Sequence, residues 1–277
     1  MGIFHPIRDT RRKRLAKKPL KPEWSNLINR QVPYFRLLSR LERQQLEGLL
    51  QIFLAEKRFE GCNGMIITDT IRLTVATLSC LLLLNLRHDF YARLSTILVY
   101  PSGFSFENES HPRDGVSFVE TRDVAGLSTN RGMLALSWAA AASGAYHPSD
   151  GANVILHEFA HQLNLRNCSP LLNGREALRN WAHILSEEYE KFRQAVNREE
   201  PTFINPYAAT NREEFFAVVT EHFFEAPLGL RQAHPALYGA FHLYYGQDPA
   251  ARFARIRKDE PPLPASYTTP QPVFPES

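Results

Sequence analysis

The residues whose types and spacing bear most directly on chemistry are His157, Glu158 and His161, within the run Asn153-Val-Ile-Leu-His-Glu-Phe-Ala-His-Gln-Leu-Asn164. On a helix, positions i and i+4 share a face, so the two imidazoles point at one metal ion. The intervening glutamate sits just off that face, beside a metal-bound water. Neutral imidazoles suit zinc, and a zinc ion with an open position acidifies its water until a carboxylate can take the proton near neutral pH. The expected chemistry is metal-assisted hydrolysis, with His157 and His161 as ligands and Glu158 as the base. Chance occurrence of so short a pattern is the competing explanation. The apolar flanks and the helical context, with Ser149 or Asp150 available as the cap, weigh against it.

A catalytic zinc needs a third protein ligand. Downstream lie Glu176, Glu187, Glu188, Glu213, Glu214, Glu221 and Glu225, and spacing alone does not choose among them. The segment 211–225 is the better host, because Phe215, Val218, Val219 and Phe223 bury one side of it, whereas the glutamates of 176–190 sit in a charge-dense run. Glu214 and Glu221, seven residues apart, share a face there. Asn211 with Glu214 also fits a capping box, but Thr210 with Glu213 can do that work and leave Glu214 free. Tyr207 precedes Glu214 by seven residues. Near a metal its phenol can hydrogen-bond an oxyanion; elsewhere it is an ordinary packed surface tyrosine. His183, His222 and His234 are read as hydrogen-bonded structural histidines.

The elements that must position these residues can be read in outline. Ser39 to Lys57 has leucines and Phe53 at helical spacing, and Thr68 to Leu86, almost entirely apolar, is its natural packing partner. Three β-prone runs follow, Thr96 to Tyr100, Val116 to Glu120 and Met133 to Trp138, separated by loops rich in Pro, Gly and Asn. Helical patterns return at 151–165, 176–196, 211–225 and 235–245. This predicts one α+β domain over 25–258, with a basic, flexible tail over 1–24 and a Pro-rich flexible tail over 259–277.

Composition excludes some classes. The chain has 277 residues, 44% hydrophobic and 22% charged, with a net charge of +3, which is ordinary for a globular protein. Its basicity is local, eight cations against Asp9 between Arg8 and Lys21, and such a run is read as a solvated tail with no direct nucleic-acid role. The run Leu73 to Leu86 falls short of the roughly 18 apolar residues of a membrane span. No apolar stretch follows the basic run, which argues against a signal peptide. Cys62, Cys80 and Cys168 form neither a disulfide framework nor a C-x-x-C pair, so a reducing cytoplasm is the expected setting.

Beyond the motif, Cys80 to Leu86, Leu98-Val-Tyr-Pro101, Leu134 to Trp138, Asn153 to Asn164, Tyr207-Ala-Ala209, Glu214 to Val218 and Glu221 to Pro227 together resemble the Mlc titration factor A family of zinc peptidases, over roughly residues 33–250. The resemblance implies a single zincin-like metallopeptidase domain akin to the catalytic domain of anthrax lethal factor, with a small mixed sheet and surrounding helices. It implies a zinc site completed by Glu214 and assisted by Tyr207, and aminopeptidase-like hydrolysis of small peptides. Its implied partner in enteric bacteria is the glucose repressor Mlc, which the family protein removes from its operator. One departure is Asn164, where the family commonly has Asp; an amide gives a zinc-bound histidine no charged support, so lower metal affinity is expected. Met133 to Trp138 is read either as the sheet edge that aligns an extended peptide or as an internal strand with no ligand contact. The competing reading is a regulatory protein that binds a repressor and holds zinc structurally.

Overall fold

The computed structural model describes residues 6–109, 119–124, 126–128, 132–163 and 175–259. Cys168, Asn164 and the expected tail from residue 260 onward lie outside these. In chain order the helices and strands are α1 (Pro6–Ala16), α2 (Pro22–Gln31), a 3-10 turn (Pro33–Leu37), α3 (Arg40–Glu56), β1 (Arg58–Gly61), α4 (Asp69–Leu83), β2 (Thr96–Tyr100), β3 (Phe104–Glu109), β4 (Val119–Val124), β5 (Gly126–Ser128) and β6 (Met133–Ser137). There follow α5 (Trp138–Tyr146), α6 (Val154–Gln162), α7 (Arg175–Asn197), a second 3-10 turn (Pro206–Ala209), α8 (Arg212–Glu225), α9 (Pro227–Ala233), α10 (Pro235–Tyr245) and α11 (Pro249–Asp259).

The helical front third forms as its pattern predicts. Ser39 and Glu42 make a reciprocal capping box that starts α3. Thr68 caps α4, whose side chains from Leu73 to Leu83 are all buried. Helix α4 packs against α2, α3, α5 and α6, which explains why its sequence is apolar on every face.

The basic segment is not a tail from Pro6 onward: α1 docks on α3. Arg12 turns inward and forks onto Glu56, Nε to Oε1 at 2.8 Å and Nη2 to Oε2 at 2.6 Å. It also donates to the Asp89 carbonyl at 3.2 Å and lies over the Phe90 ring. A buried guanidinium is tolerated because its charge is paired and its Nε and Nη2 donors are met. Gly48, in the middle of α3, permits the crossing, since a Cβ there would stand 3.1 Å from the Ala16 carbonyl oxygen. Arg11, Lys13, Arg14, Lys17 and Lys18 remain exposed, so a count of charges alone could not reveal that one of them is an anchor.

The main sheet is mixed, in the order β1-β2-β6-β5. Strands β1, β2 and β6 are parallel, with Thr96 opposite Met133 and Tyr100 opposite Ser137, and β5 closes the sheet antiparallel to β6, with Gly126 opposite Leu136. Met133–Ser137 is therefore an inner strand and not the edge; the edge on that side is Gly126–Ser128. Of the second β-prone run, residues 119–120 fall in β4 (Val119–Val124), which pairs β3 as a separate hairpin, and residues 116–118 lie outside the described residues. Strand β6 runs directly into α5, and Ser137 ends the one and caps the other. A single hydrophobic cluster extends from Leu20 to Ala250, which ties the helical layers and the sheet into one domain.

Candidate metal centre and active site

Helix α6 buries Ile155, Leu156, Phe159 and Ala160. The Phe159 ring packs between Phe53 and Tyr91, with centroids 5.8 and 5.0 Å away. That inner stripe leaves His157 and His161 together on the opposite face. The cap is Asn153, whose Oδ1 accepts from the Leu156 amide at 3.1 Å. It is neither Ser149 nor Asp150; Asp150 instead accepts from the Ala152 amide in the turn before the helix.

Helix α8 supplies the facing wall. Asn211 caps it by accepting from the Glu214 amide at 2.8 Å, so the Thr210 alternative does not apply. The backbone of Glu214 serves the cap while its carboxylate turns toward α6. Glu214 Oε2 lies 3.0 Å from His157 Nε2, Glu214 Oε1 lies 3.5 Å from His161 Nε2, and the two Nε2 atoms are 3.2 Å apart. These three residues each offer one atom that could ligate a metal, and the three atoms lie within 4.8 Å of one another. Tetrahedral zinc, with bonds of 2.0–2.1 Å, places neighbouring ligand atoms about 3.4 Å apart. The donor set thus fits zinc in both chemistry and spacing.

Glu221 takes a different place. Its Oε1 lies 2.8 Å from His157 Nδ1, on the far side of the ring from Glu214. An Nδ1–H donated to Glu221 fixes the imidazole's orientation and leaves Nε2 free for a metal. The two carboxylates that share a face of α8 therefore hold opposite nitrogens of one histidine. Among the other glutamates, Glu176, Glu187 and Glu213 are exposed, and Glu188 pairs with Lys191. His183 and His234 lie beside Glu187 and Glu188, and His222 bonds the Val218 carbonyl through Nδ1.

Glu158 is only 6% exposed. Burial pushes its carboxyl up to about 7, opposed by His157 and His161 and reinforced by the negative charges of Glu214 and Glu221. For Glu214 burial acts in the same upward sense, but hydrogen bonds from His157 and His161 overcome it and hold the carboxyl well below the usual range. Two neighbouring carboxyls are thereby set apart, one ionised and one poised to exchange a proton near neutrality.

Gly126 carried no signal in the sequence. A Cβ at this position would lie 2.5 Å from Glu158 Cγ and Oε1, so the edge strand passes directly over the buried carboxylate, and only glycine allows it. Tyr207, in the second 3-10 turn, is 54% exposed, with its ring centroid 6.3 Å from that of His157. The structure thus brings His157, Glu158, His161, Tyr207 and Glu214 into one region and adds Glu221, Asn153 and Gly126 to it. The signal for Glu221 was its seven-residue spacing from Glu214; for Gly126 there was none.

The sequence profile of the glucose-regulated metallo-peptidase M90 family matches residues 7–246, a span that begins inside α1. An uncharacterized protein of Synechocystis sp. is 41% identical over 246 residues, covering 87% of this chain and 90% of its own length. Mlc titration factor A of Escherichia fergusonii is 30% identical over 257 residues, covering 90% and 93%. That of Pectobacterium atrosepticum is 31% identical over 238 residues, covering 83% and 87%.

Proposed function

The chain belongs to the glucose-regulated metallo-peptidase M90 family, and from that premise we propose that it is a zinc-dependent, aminopeptidase-like peptidase whose ligands are His157, His161 and Glu214. The observation that carries this reading is the convergence of two imidazole nitrogens and a carboxylate within 4.8 Å of one another, next to a buried glutamate. Bound zinc would supply a Lewis acid that acidifies water and polarises the scissile carbonyl. Glu158 takes the water proton at its carboxylate and later hands it to the departing amine. Burial, which raises that carboxyl, favours its holding the proton between the two steps. The Tyr207 hydroxyl, at the open side of the site, donates a hydrogen bond to the oxyanion that develops on the substrate.

The edge strand gives the peptide its place. An extended chain that adds to β5 by main-chain hydrogen bonds lies next to Glu158, because Gly126 already does. Free Cys62 and Cys80 support a reducing, cytoplasmic setting. Among the described residues no helix is long and apolar enough to cross a membrane.

A second reading draws on the name of the relatives, Mlc titration factor A: a Mlc-like repressor is a partner, and zinc is structural. Zinc analysis of the purified protein, with chelator-sensitive cleavage of aminoacyl reporter substrates, separates the two. Cleavage lost on zinc removal supports the peptidase. Repressor capture untouched by Glu158→Gln, with no substrate cleaved, supports the binding protein.

A further inference from the structure

Glu225 is a carboxyl with 2% exposure, on the buried side of α8 and outside the ligand set. Leaving such a group in the interior is costly unless its oxygens find partners. Its Oε1 accepts from Asn153 Nδ2 at 2.7 Å. Its buried Oε2 meets no hydrogen-bond partner among the described residues, and the Asp150 carboxyl is close beside it. Burial and that neighbouring negative charge both raise the Glu225 carboxyl well above the usual range, which favours its neutral form.

Asn153 is the junction. Its Oδ1 caps α6 at Leu156, its Nδ2 holds Glu225, and its backbone amide donates to Glu221 Oε2 at 2.5 Å. Glu221 in turn holds His157 Nδ1. Glu214, Glu221 and Glu225 all ride on α8. A slip of that helix against the start of α6 therefore moves the third ligand and the His157 support together.

We propose that Glu225 is a positioning residue: by clamping Asn153 it locks the start of the active-site helix onto α8 and so sets how tightly the site holds zinc. This rests on the zinc reading above. A residue that merely stabilised the fold would lower the melting temperature of metal-free and metal-loaded protein alike and leave zinc affinity unchanged.

The test is competition for Zn2+ between the purified full-length protein and a chromophoric chelator at neutral pH, alongside thermal melting of the metal-free protein. Glu225→Ala is expected to weaken zinc binding by about tenfold or more, at the lower end of what lost ligand support costs. Glu225→Gln, whose amide can accept from Asn153 and donate to Asp150, is expected to stay within about twofold of wild type. Asn153→Ser keeps a capping hydroxyl but cannot reach Glu225, and is expected to weaken binding as Glu225→Ala does; it carries the test if the alanine variant does not fold. Folded Glu225→Ala and Asn153→Ser proteins that hold zinc as tightly as wild type would overturn the proposal, as would a Glu225→Gln protein as impaired as Glu225→Ala. A wild-type protein that binds no zinc would overturn the underlying reading instead.

Discussion

At the scale of single residues, the site separates roles that look alike in sequence. Glu158→Gln removes the proposed proton acceptor without touching a proposed ligand, so stoichiometric zinc and a loss of peptidase activity of roughly 100- to 10,000-fold are expected; full activity would remove Glu158 from its role. Glu221→Ala deletes the partner of His157 Nδ1, and zinc affinity measured by chelator competition is expected to fall about 10- to 100-fold. His157, Glu158 and His161 were legible in the sequence because helical periodicity alone puts i and i+4 side by side. Spacing alone did not choose Glu214 over six other glutamates, since that depends on how α8 crosses α6; the apolar side of 211–225 and the family resemblance pointed to it. Spacing did mark Glu214 and Glu221 as sharing a face, but not that one would meet His157 at Nε2 and the other at Nδ1. The cap was misassigned for a related reason: Asn153 competes with Ser149 and Asp150 in composition, and only the path of the preceding turn decides between them.

At the scale of elements, the short edge strand and the docked basic helix matter most. In Gly126→Ala the added methyl would occupy the space of the Glu158 side chain. The carboxylate must move, and a displacement near 1 Å costs on the order of 100-fold in kcat/KM. Cleavage assays should show that loss while zinc content stays normal. Beneath α1, Lys57 is buried with its ammonium donating to the Tyr91 and Leu94 carbonyls at 2.6 and 2.7 Å, and burial lowers it from 10.5 to about 8. Below about 8 both folded and unfolded chains carry the proton; between there and 10.5 the unfolded chain binds more, so stability rises with pH through that window. Wild-type stability relative to Lys57→Met should therefore increase from pH 8 to 10.5 in denaturant titrations; a flat difference would contradict the shift. The long helices were readable because apolar stripes over many residues outweigh local ambiguity. Strands β1 and β5, of 4 and 3 residues, are too short to show a period. The edge stayed undecided because β6 is apolar enough for an inner strand, and its outer neighbour holds Gly126, a poor strand former. Helix α1 was hidden by its charge, since the Arg12–Glu56 pair spans 44 residues.

At the scale of the whole molecule, the core is contiguous from Leu20 to Ala250 and is built of apolar side chains that are not among the proposed ligands. Zinc removal should therefore lower the melting temperature without abolishing helical structure at 25 °C, unlike small domains that unfold when the metal is lost. Free zinc at a thousandfold excess over Kd adds about 4 kcal/mol of stability. Thermal melts with and without chelator should show that difference in wild type and not in Glu214→Ala. The central claim is that one zinc ion sits between α6 and α8. The most direct measurement is an anomalous difference map at the zinc absorption edge from crystals of the zinc-loaded protein. A single strong peak within bonding distance of His157 Nε2, His161 Nε2 and the Glu214 carboxylate is the predicted result. A peak bound by other residues, or none in protein that carries one zinc per chain, would contradict it.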